Sequence, residues 1–83
     1  MKYVAKIEVV LKPGHSNPEG ETTARLLKEL GYKVQAVDVS KVYTVLLEAT
    51  TPSDAQAKAE EMSKRLLANP TKDNYTISVV ESK

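Results

Sequence analysis

Leu11–Gly31, LKPGHSNPEGETTARLLKELG, is the stretch whose reading decides the fold. It leaves a run of alternating apolar residues, turns at Pro13-Gly14 and enters a helix through Asn17-Pro18. Asn17 can accept a hydrogen bond from an unpaired amide of the first helical turn, and Pro18 suits the first helical position because it has no amide to leave unpaired. Glu19 and Glu21 follow where the helix dipole favours negative charge. Thr23, Leu26, Leu27 and Leu30 recur at three- and four-residue spacing and predict one apolar stripe. Gly31 comes directly after them and can take the left-handed turn that ends a helix. The rest of the chain reads as sheet and a second helix arranged around this strand–loop–helix unit.

Upstream, Tyr3, Ala5, Ile7, Val9 and Leu11 alternate with Val4, Lys6, Glu8 and Val10, the period of a strand. Its second face is only half polar, a first hint of a covered surface. Downstream, Tyr32 to Thr50 predicts two further strands. Val37 and Val39 alternate with Asp38 and Ser40, then Tyr43, Val45, Leu47 and Ala49 alternate with Thr44, Leu46 and Glu48. The break falls near Ser40-Lys41, where no Asn-Gly or Asp-Gly marks a hairpin, so the ribbon can bend rather than fold sharply.

Thr51-Pro52-Ser53-Asp54 opens the second helix with the same cap chemistry. Ala55, Ala59, Met62 and Leu66 predict its buried stripe. Glu60 with Lys64, and Glu61 with Arg65, stand four apart in the favourable order. Pro70 disfavours helical geometry before it and ends the helix around Ala68 or Asn69. Tyr75, Ile77 and Val79 alternate with Thr76, Ser78 and Glu81 as a last strand. The order β-α-β-β-α-β predicts an α+β fold, a single domain over residues 1–83 with an antiparallel sheet and two helices packed on one face. The loops Pro13–Gly20 and Leu67–Asn74 are expected toward opposite ends of that sheet.

Eighty-three residues with no Phe or Trp build one small core from Val, Leu, Ile, Ala and four Tyr. Domains of this size often gain stability by associating. A net charge of +1 with interleaved signs predicts no nucleic-acid partner. The absence of cysteine removes disulfides, thiolate nucleophiles and Cys-based metal sites. No apolar run approaches the roughly 20 residues of a membrane span, and the default is a cytoplasmic protein without membrane contact.

His15 is the only histidine and has no carboxylate at ligand spacing, so neither a metal site nor a general base is expected there. Gly14 and Gly20 bracket a loop and helix start but lack the Lys-Ser/Thr ending of a phosphate loop. The serines have no nearby His–Asp pair. Other users of this element order fail on residues. An RNA-binding sheet needs outward aromatics, whereas Tyr3 and Tyr43 fall on core-facing sets. A copper chaperone needs two cysteines in the first loop, and an acylphosphatase needs an arginine where Lys12 is the only basic residue. No catalytic residue, no bound cofactor and no metal are expected. An interaction or ligand-binding module remains.

Two segments together resemble a known family. Val10-Leu11-Lys12-Pro13-Gly14, Asn17-Pro18-Glu19-Gly20 and Leu30-Gly31-Tyr32 look like the first half of PurS, the small subunit of phosphoribosylformylglycinamidine synthase. Glu61-Met62-Ser63-Lys64-Arg65-Leu66-Leu67-Ala68-Asn69-Pro70 and the strand from Tyr75 look like its second half. Ser16-Asn17 and Ser63 depart from residues common in that family while preserving cap chemistry and small size.

The resemblance implies a non-catalytic subunit in purine biosynthesis. It would bind a glutaminase subunit and a large synthetase subunit, help to assemble them and assist ammonia transfer, with ATP and magnesium on the large subunit. An ACT-like ligand-binding regulatory domain shares the strand–helix order and is the alternative. A melting shift with amino acids would mark it, since a ligand of the native state must stabilise it.

Two residue groups are expected to make contacts. Val4, Val10, Val42, Leu46 and Val80 lie on strand faces opposite the helix-covered core and predict a homodimer or homotetramer. His15, Asn17, Asn69, Lys72 and Asp73 sit in the two proline-marked loops, where stiff backbone and polar side chains suit a preorganised partner interface.

Overall fold

A computed structural model describes residues 1–82 of the chain. The alternation of the first segment makes β1 (Lys2–Leu11) the central strand, with Tyr3, Ala5, Ile7 and Val9 buried on one face. β2 (Lys41–Glu48) and β3 (Asp73–Glu81) flank it, both antiparallel, in the order β2-β1-β3. Ile7 stands opposite Tyr43 on one side and Ile77 on the other, so core-facing side chains align across all three strands. Each fully buried aliphatic side chain of this kind contributes about 1.5–3 kcal/mol.

α2 (Pro52–Met62) covers that face where it crosses β1 and β3. Thr51 Oγ1 accepts from the Asp54 amide at 3.0 Å, and the Asp54 carboxylate accepts from the Thr50 amide at 3.0 Å, closing both ends of the cap. Ala55 and Ala59 are fully buried, because their short side chains let the helix lie close to the sheet.

The expected stripe breaks after Met62. Residues Ser63–Leu67 form a π-helical turn in which the Ala68 amide donates to the Ser63 carbonyl, five residues back, at 2.9 Å. The wider turn changes the helical phase, leaving Leu66 83% exposed and Leu67 packed against the core. Ser63 is buried instead, its hydroxyl donating to the Ala59 carbonyl at 2.8 Å. The helical stretch ends before Ala68, as Pro70 requires.

α1 (Pro18–Glu29) starts and stops where the sequence predicts. Asn17 Oδ1 accepts from the Gly20 amide at 2.9 Å. Gly31 has φ +99°, and the amides of Gly31 and Tyr32 close back on Lys28 and Leu27. The leucine stripe, however, is not in the core. No residue from 12 to 40 belongs to the core cluster, and Leu26, Leu30 and Tyr32 are exposed.

The α+β class and the antiparallel sheet stand, with three hydrogen-bonded strands and two α-helices among the described residues. The strand expected around Val37 and Val39 is instead an unpaired connection beside α1. Asn17 Nδ2 donates to the Val39 carbonyl at 3.1 Å. Gly20 lies so close to the Val37 carbonyl that a Cβ there would collide with it. The physical reason is at the junction: without a turn residue at Ser40-Lys41, residues 33–40 do not fold back on β2. α1 and this connection form an arm, and the molecule measures 51 × 30 × 14 Å.

The two proline-marked loops are at the same end of the sheet, correcting the expectation of opposite ends. β1 and β3 are antiparallel neighbours with Leu11 opposite Asp73, so the end of one strand adjoins the start of the other. No helix of the described residues is long and apolar enough to cross a membrane.

Candidate functional site

The shared sheet end draws both loops into one surface. The Lys12 amide donates to the Lys72 carbonyl at 2.7 Å, and Lys12 Nζ donates to the Pro70 carbonyl at 3.0 Å. Gly14, at φ +90°, makes the turn in which the His15 amide reaches the Lys12 carbonyl at 3.3 Å. In the second loop the Asn69 amide donates to Asp73 Oδ2 at 2.8 Å, and Asn69 Oδ1 accepts from the Thr71 amide at 2.9 Å. The Asp73 amide returns to the Asn69 carbonyl at 2.8 Å. These bonds hold a loop rigid without any buried charge.

Three of the five loop residues therefore spend polar atoms within the chain. Asn17 caps α1 and ties down the connection, and Asn69 and Asp73 brace each other's backbone. His15 and Lys72 are exposed, and their side chains make no hydrogen bond among the described residues. A groove of about 460 Å³ runs along the first loop past Lys12, His15, Asn17 and Asp38. A smaller one of about 220 Å³ joins Asn17 to Lys72 and Asp73. His15 and Asn17 also border an open groove of about 670 Å³ between α1 and residues 35–38. These grooves offer hydrogen-bonding and cationic groups to a partner. The His15 imidazole lines two of these grooves and makes no hydrogen bond among the described residues. No group of three or more His, Asp or Glu able to hold a metal is present among the described residues.

The outer sheet face is banded. Val4 is opposite Leu46 on β2 and Val80 on β3, which makes one apolar row across all three strands. The next row is Thr44, Lys6 and Ser78; beyond it Val42 is opposite Glu8, and Val10 is opposite Asn74. Leu46, Val42 and Val80 are exposed, while Val4 and Val10 are half-buried. The five predicted residues share a face, but only three adjoin.

The helices carry four surface ion pairs, all at four-residue spacing, Arg25–Glu29, Asp54–Lys58, Glu60–Lys64 and Glu61–Arg65. Each contributes a few tenths of a kcal/mol. The Asp54 carboxyl is held below its ordinary value, first by the Thr50 amide and then by the Lys58 ammonium.

Two features escaped the sequence. Gly20 is where the connection touches α1, signalled only by a glycine inside a helix's first turns, where alanine would favour the helix more. Leu26, Leu30, Tyr32 and Leu66 form surface instead of core, signalled in the first three by the missing hairpin turn.

Residues 4–81 match the family model PurS: Phosphoribosylformylglycinamidine (FGAM) synthase. The chain is 35% identical over 81 residues to phosphoribosylformylglycinamidine synthase subunit PurS of Methanothermobacter thermautotrophicus, covering 98% of this chain and 96% of the relative. Its fold is similar to that of Thermus thermophilus PurS, with a TM-score of 0.89, 33% identity and full coverage of both chains. It is also similar to a chain of the PurLQS structure from Thermotoga maritima, with a TM-score of 0.87, 25% identity, and 96% and 99% coverage.

Proposed function

The chain belongs to the PurS family, and we propose that it is the small, non-catalytic subunit of a cytoplasmic phosphoribosylformylglycinamidine synthase in purine biosynthesis. The match over residues 4–81, spanning sheet, both helices and both loops, carries this reading. On it, a glutaminase subunit releases ammonia and a large subunit, which holds ATP and magnesium, consumes it. This chain bridges the two and assists the transfer. Ammonia in neutral water is protonated and diffuses away, so a route between two enzymes needs a rigid, water-excluding filler. A chain with braced loops and surplus apolar surface suits that task better than catalysis.

Self-association belongs to the same reading. The Leu46–Val4–Val80 row, with Val42 and Val10 beyond it, gives a sheet face that a homodimer or dimer of dimers would cover. The loop end with His15, Asn17, Asn69, Lys72 and Asp73 is the surface assigned to the enzymes.

Co-purification tests the assignment. A tagged chain should retain both the glutaminase and the large synthetase. Lys72→Glu should weaken capture at least tenfold while the isolated oligomer melts normally. His15→Ala, once assembled at saturating concentration, should leave synthase turnover within about twofold, since the imidazole has no partner to orient it. Wild-type capture by Lys72→Glu moves the partner surface to the helices or sheet edge. A hundredfold loss of turnover in an assembled His15→Ala complex contradicts the non-catalytic role.

A further inference from the structure

We propose that residues Ser63–Leu67 form a two-position element: Leu66 and Leu67 compete for one place in the core, and the loop brace at Asn69 and Asp73 selects Leu67. The phase of α2 sets up the competition. Ala55, Ala59 and Ser63 are fully buried at four-residue spacing, and Met62 packs against the core beside them. At about 100° per residue, a regular α-helix would carry Leu66 onto the middle of that buried side and turn Leu67 toward its margin. The π-turn inverts this. One extra residue between Ser63 and Ala68 gives Leu67 the direction that Leu66 would have had, and Leu66 is left 83% exposed.

A π-turn is rare and usually marks a site under some constraint. Here the constraint comes from both sides. Upstream, the buried Ser63 hydroxyl donates to the Ala59 carbonyl at 2.8 Å. Downstream, Asn69 is the hub of the loop: its amide donates to Asp73 Oδ2 at 2.8 Å, and its carbonyl accepts from the Lys72 and Asp73 amides at 3.2 and 2.8 Å. The Lys12 ammonium ties the Pro70 carbonyl to the end of β1 at 3.0 Å. The segment between these anchors takes up one residue more than an α-turn would, and Leu66 is the residue pushed out.

The two positions are close in free energy for a chemical reason. The side chains are identical, so exchanging them conserves the volume filled and the apolar area buried, the kind of core change tolerated best. The remaining difference lies in the short Ala68 side chain, in the bond from the Ala68 amide to the Ser63 carbonyl at 2.9 Å, and in the brace that follows. Drawing the Asp73 carboxylate away from the Asn69 amide frees the downstream anchor. The helix then continues in α-register, carrying Leu66 inward and Leu67 outward. The exposed leucine changes place relative to the groove of about 370 Å³ that Leu66 now shares with Lys58, Glu61, Met62 and Arg65. A binder of that groove, or of the Asp73 carboxylate, shifts the balance by as much as it prefers one position. The inference rests on α2 and its loop and does not depend on the synthase assignment.

A double-substitution cycle reads the competition. Leu66→Ala should leave the unfolding equilibrium constant within about twofold while Leu67 is present, as an exposed site does. On a Leu67→Ala background Leu66 would occupy the vacated place, and the same change should then cost about tenfold or more, the coupling expected of residues that share one site. The Leu67→Ala chain should also show nuclear Overhauser contacts between the Leu66 methyl groups and Val9, which is buried and borders the small groove that Leu67 lines. Asp73→Ala, which opens the brace, should bring the same contacts into a chain with both leucines, with melting still cooperative. A Leu66→Ala change that is silent on both backgrounds overturns the competition, and so does one that is equally costly on both. An opened brace that leaves the Leu66 methyl groups away from Val9, or that abolishes cooperative melting, overturns the selection by Asn69 and Asp73.

Discussion

Helices α1 and α2 begin by the same chemistry, a side-chain oxygen accepting from the amide three residues on and a proline in the first turn. Asn17 does this for Gly20 at 2.9 Å and Thr51 for Asp54 at 3.0 Å. They then part. α2 lies against β1 and β3 with Ala55 and Ala59 fully buried, whereas α1 carries larger apolar side chains and leaves Leu26 and Leu30 in water. Caps and stripes state where a helix starts and which side wants covering. Neither states what will cover it. That depends on whether the connection can bring the stripe back. α2 leads through a short braced loop into β3, next to the strand it covers, while α1 leads through residues 33–40 to a junction with no means of reversing.

The largest effect should come from the closed half. Ile7→Ala removes a fully buried side chain flanked by Tyr43 and Ile77 and should cost about 2–5 kcal/mol. In a domain this small that lowers the melting temperature by roughly 10 °C or more. Amide exchange should accelerate across the three strands and α2, with little change in the first two turns of α1. Equal acceleration in α1 would show that the two halves form one cooperative unit and break the comparison.

Legibility in the sequence follows the same division. Strand β1, both caps, the Gly31 stop and the Pro70 stop depend on neighbours within a few residues, and all were readable. So was the face of the residues in β2 and of Tyr75 to Val79 in β3, because a pleated strand alternates strictly; Glu81, expected beside Thr76 and Ser78, instead stands opposite the core-facing Tyr3. The missing pieces depend on more distant geometry. Leu66 faces out because one π-turn adds a residue to the helical phase, and nothing in SKRLL announces it. Val37 and Val39 alternate as a strand would, but alternation supplies no edge to pair with. The common end of the two loops was deducible from antiparallel pairing of β1 and β3, once the neighbours were known. At the loop end, residue types were legible and their engagements were not. Asn17, Asn69 and Asp73 look like free hydrogen-bonding groups in sequence and are bonded within the fold.

A smaller effect, confined to the arm, should follow from Gly20→Ala. Alanine raises intrinsic helix propensity by about 1 kcal/mol, so a free α1 would gain stability. Here its Cβ meets the Val37 carbonyl, which is backbone and cannot rotate away. Overpacking of this kind costs about 1–3 kcal/mol. Exchange should therefore speed up in residues 33–40 while β1 stays protected. Stabilisation instead would mean that the connection does not rest on the helix in solution, and that α1 and α2 differ still more than described.

The smallest effect separates the two caps by charge. Asn17 does not titrate, so the bond from the Gly20 amide to its side chain carries no charge that acid can remove. Asp54 does titrate, and its carboxyl lies below the ordinary value of 3.8 because it accepts from the Thr50 amide and pairs with Lys58 at 3.3 Å. A folded-state value below the unfolded one means that the ionised form is favoured by folding. Its contribution is fully present above about pH 4 and is lost as pH falls through the lower folded value. Asp54→Asn keeps an oxygen for the Thr50 amide but removes the charge. It should melt slightly below wild type at neutral pH, and the gap should close as the pH drops below about 4. The Asp54→Asn chain should also show a flatter acid limb in the exchange of the first α2 amides, with no change at the first α1 amides. A gap that stays constant from neutral pH into acid would mean that the carboxylate gains nothing from its cap position. The caps of the two helices would then be equivalent in charge as well as in geometry, and only the connections would distinguish them.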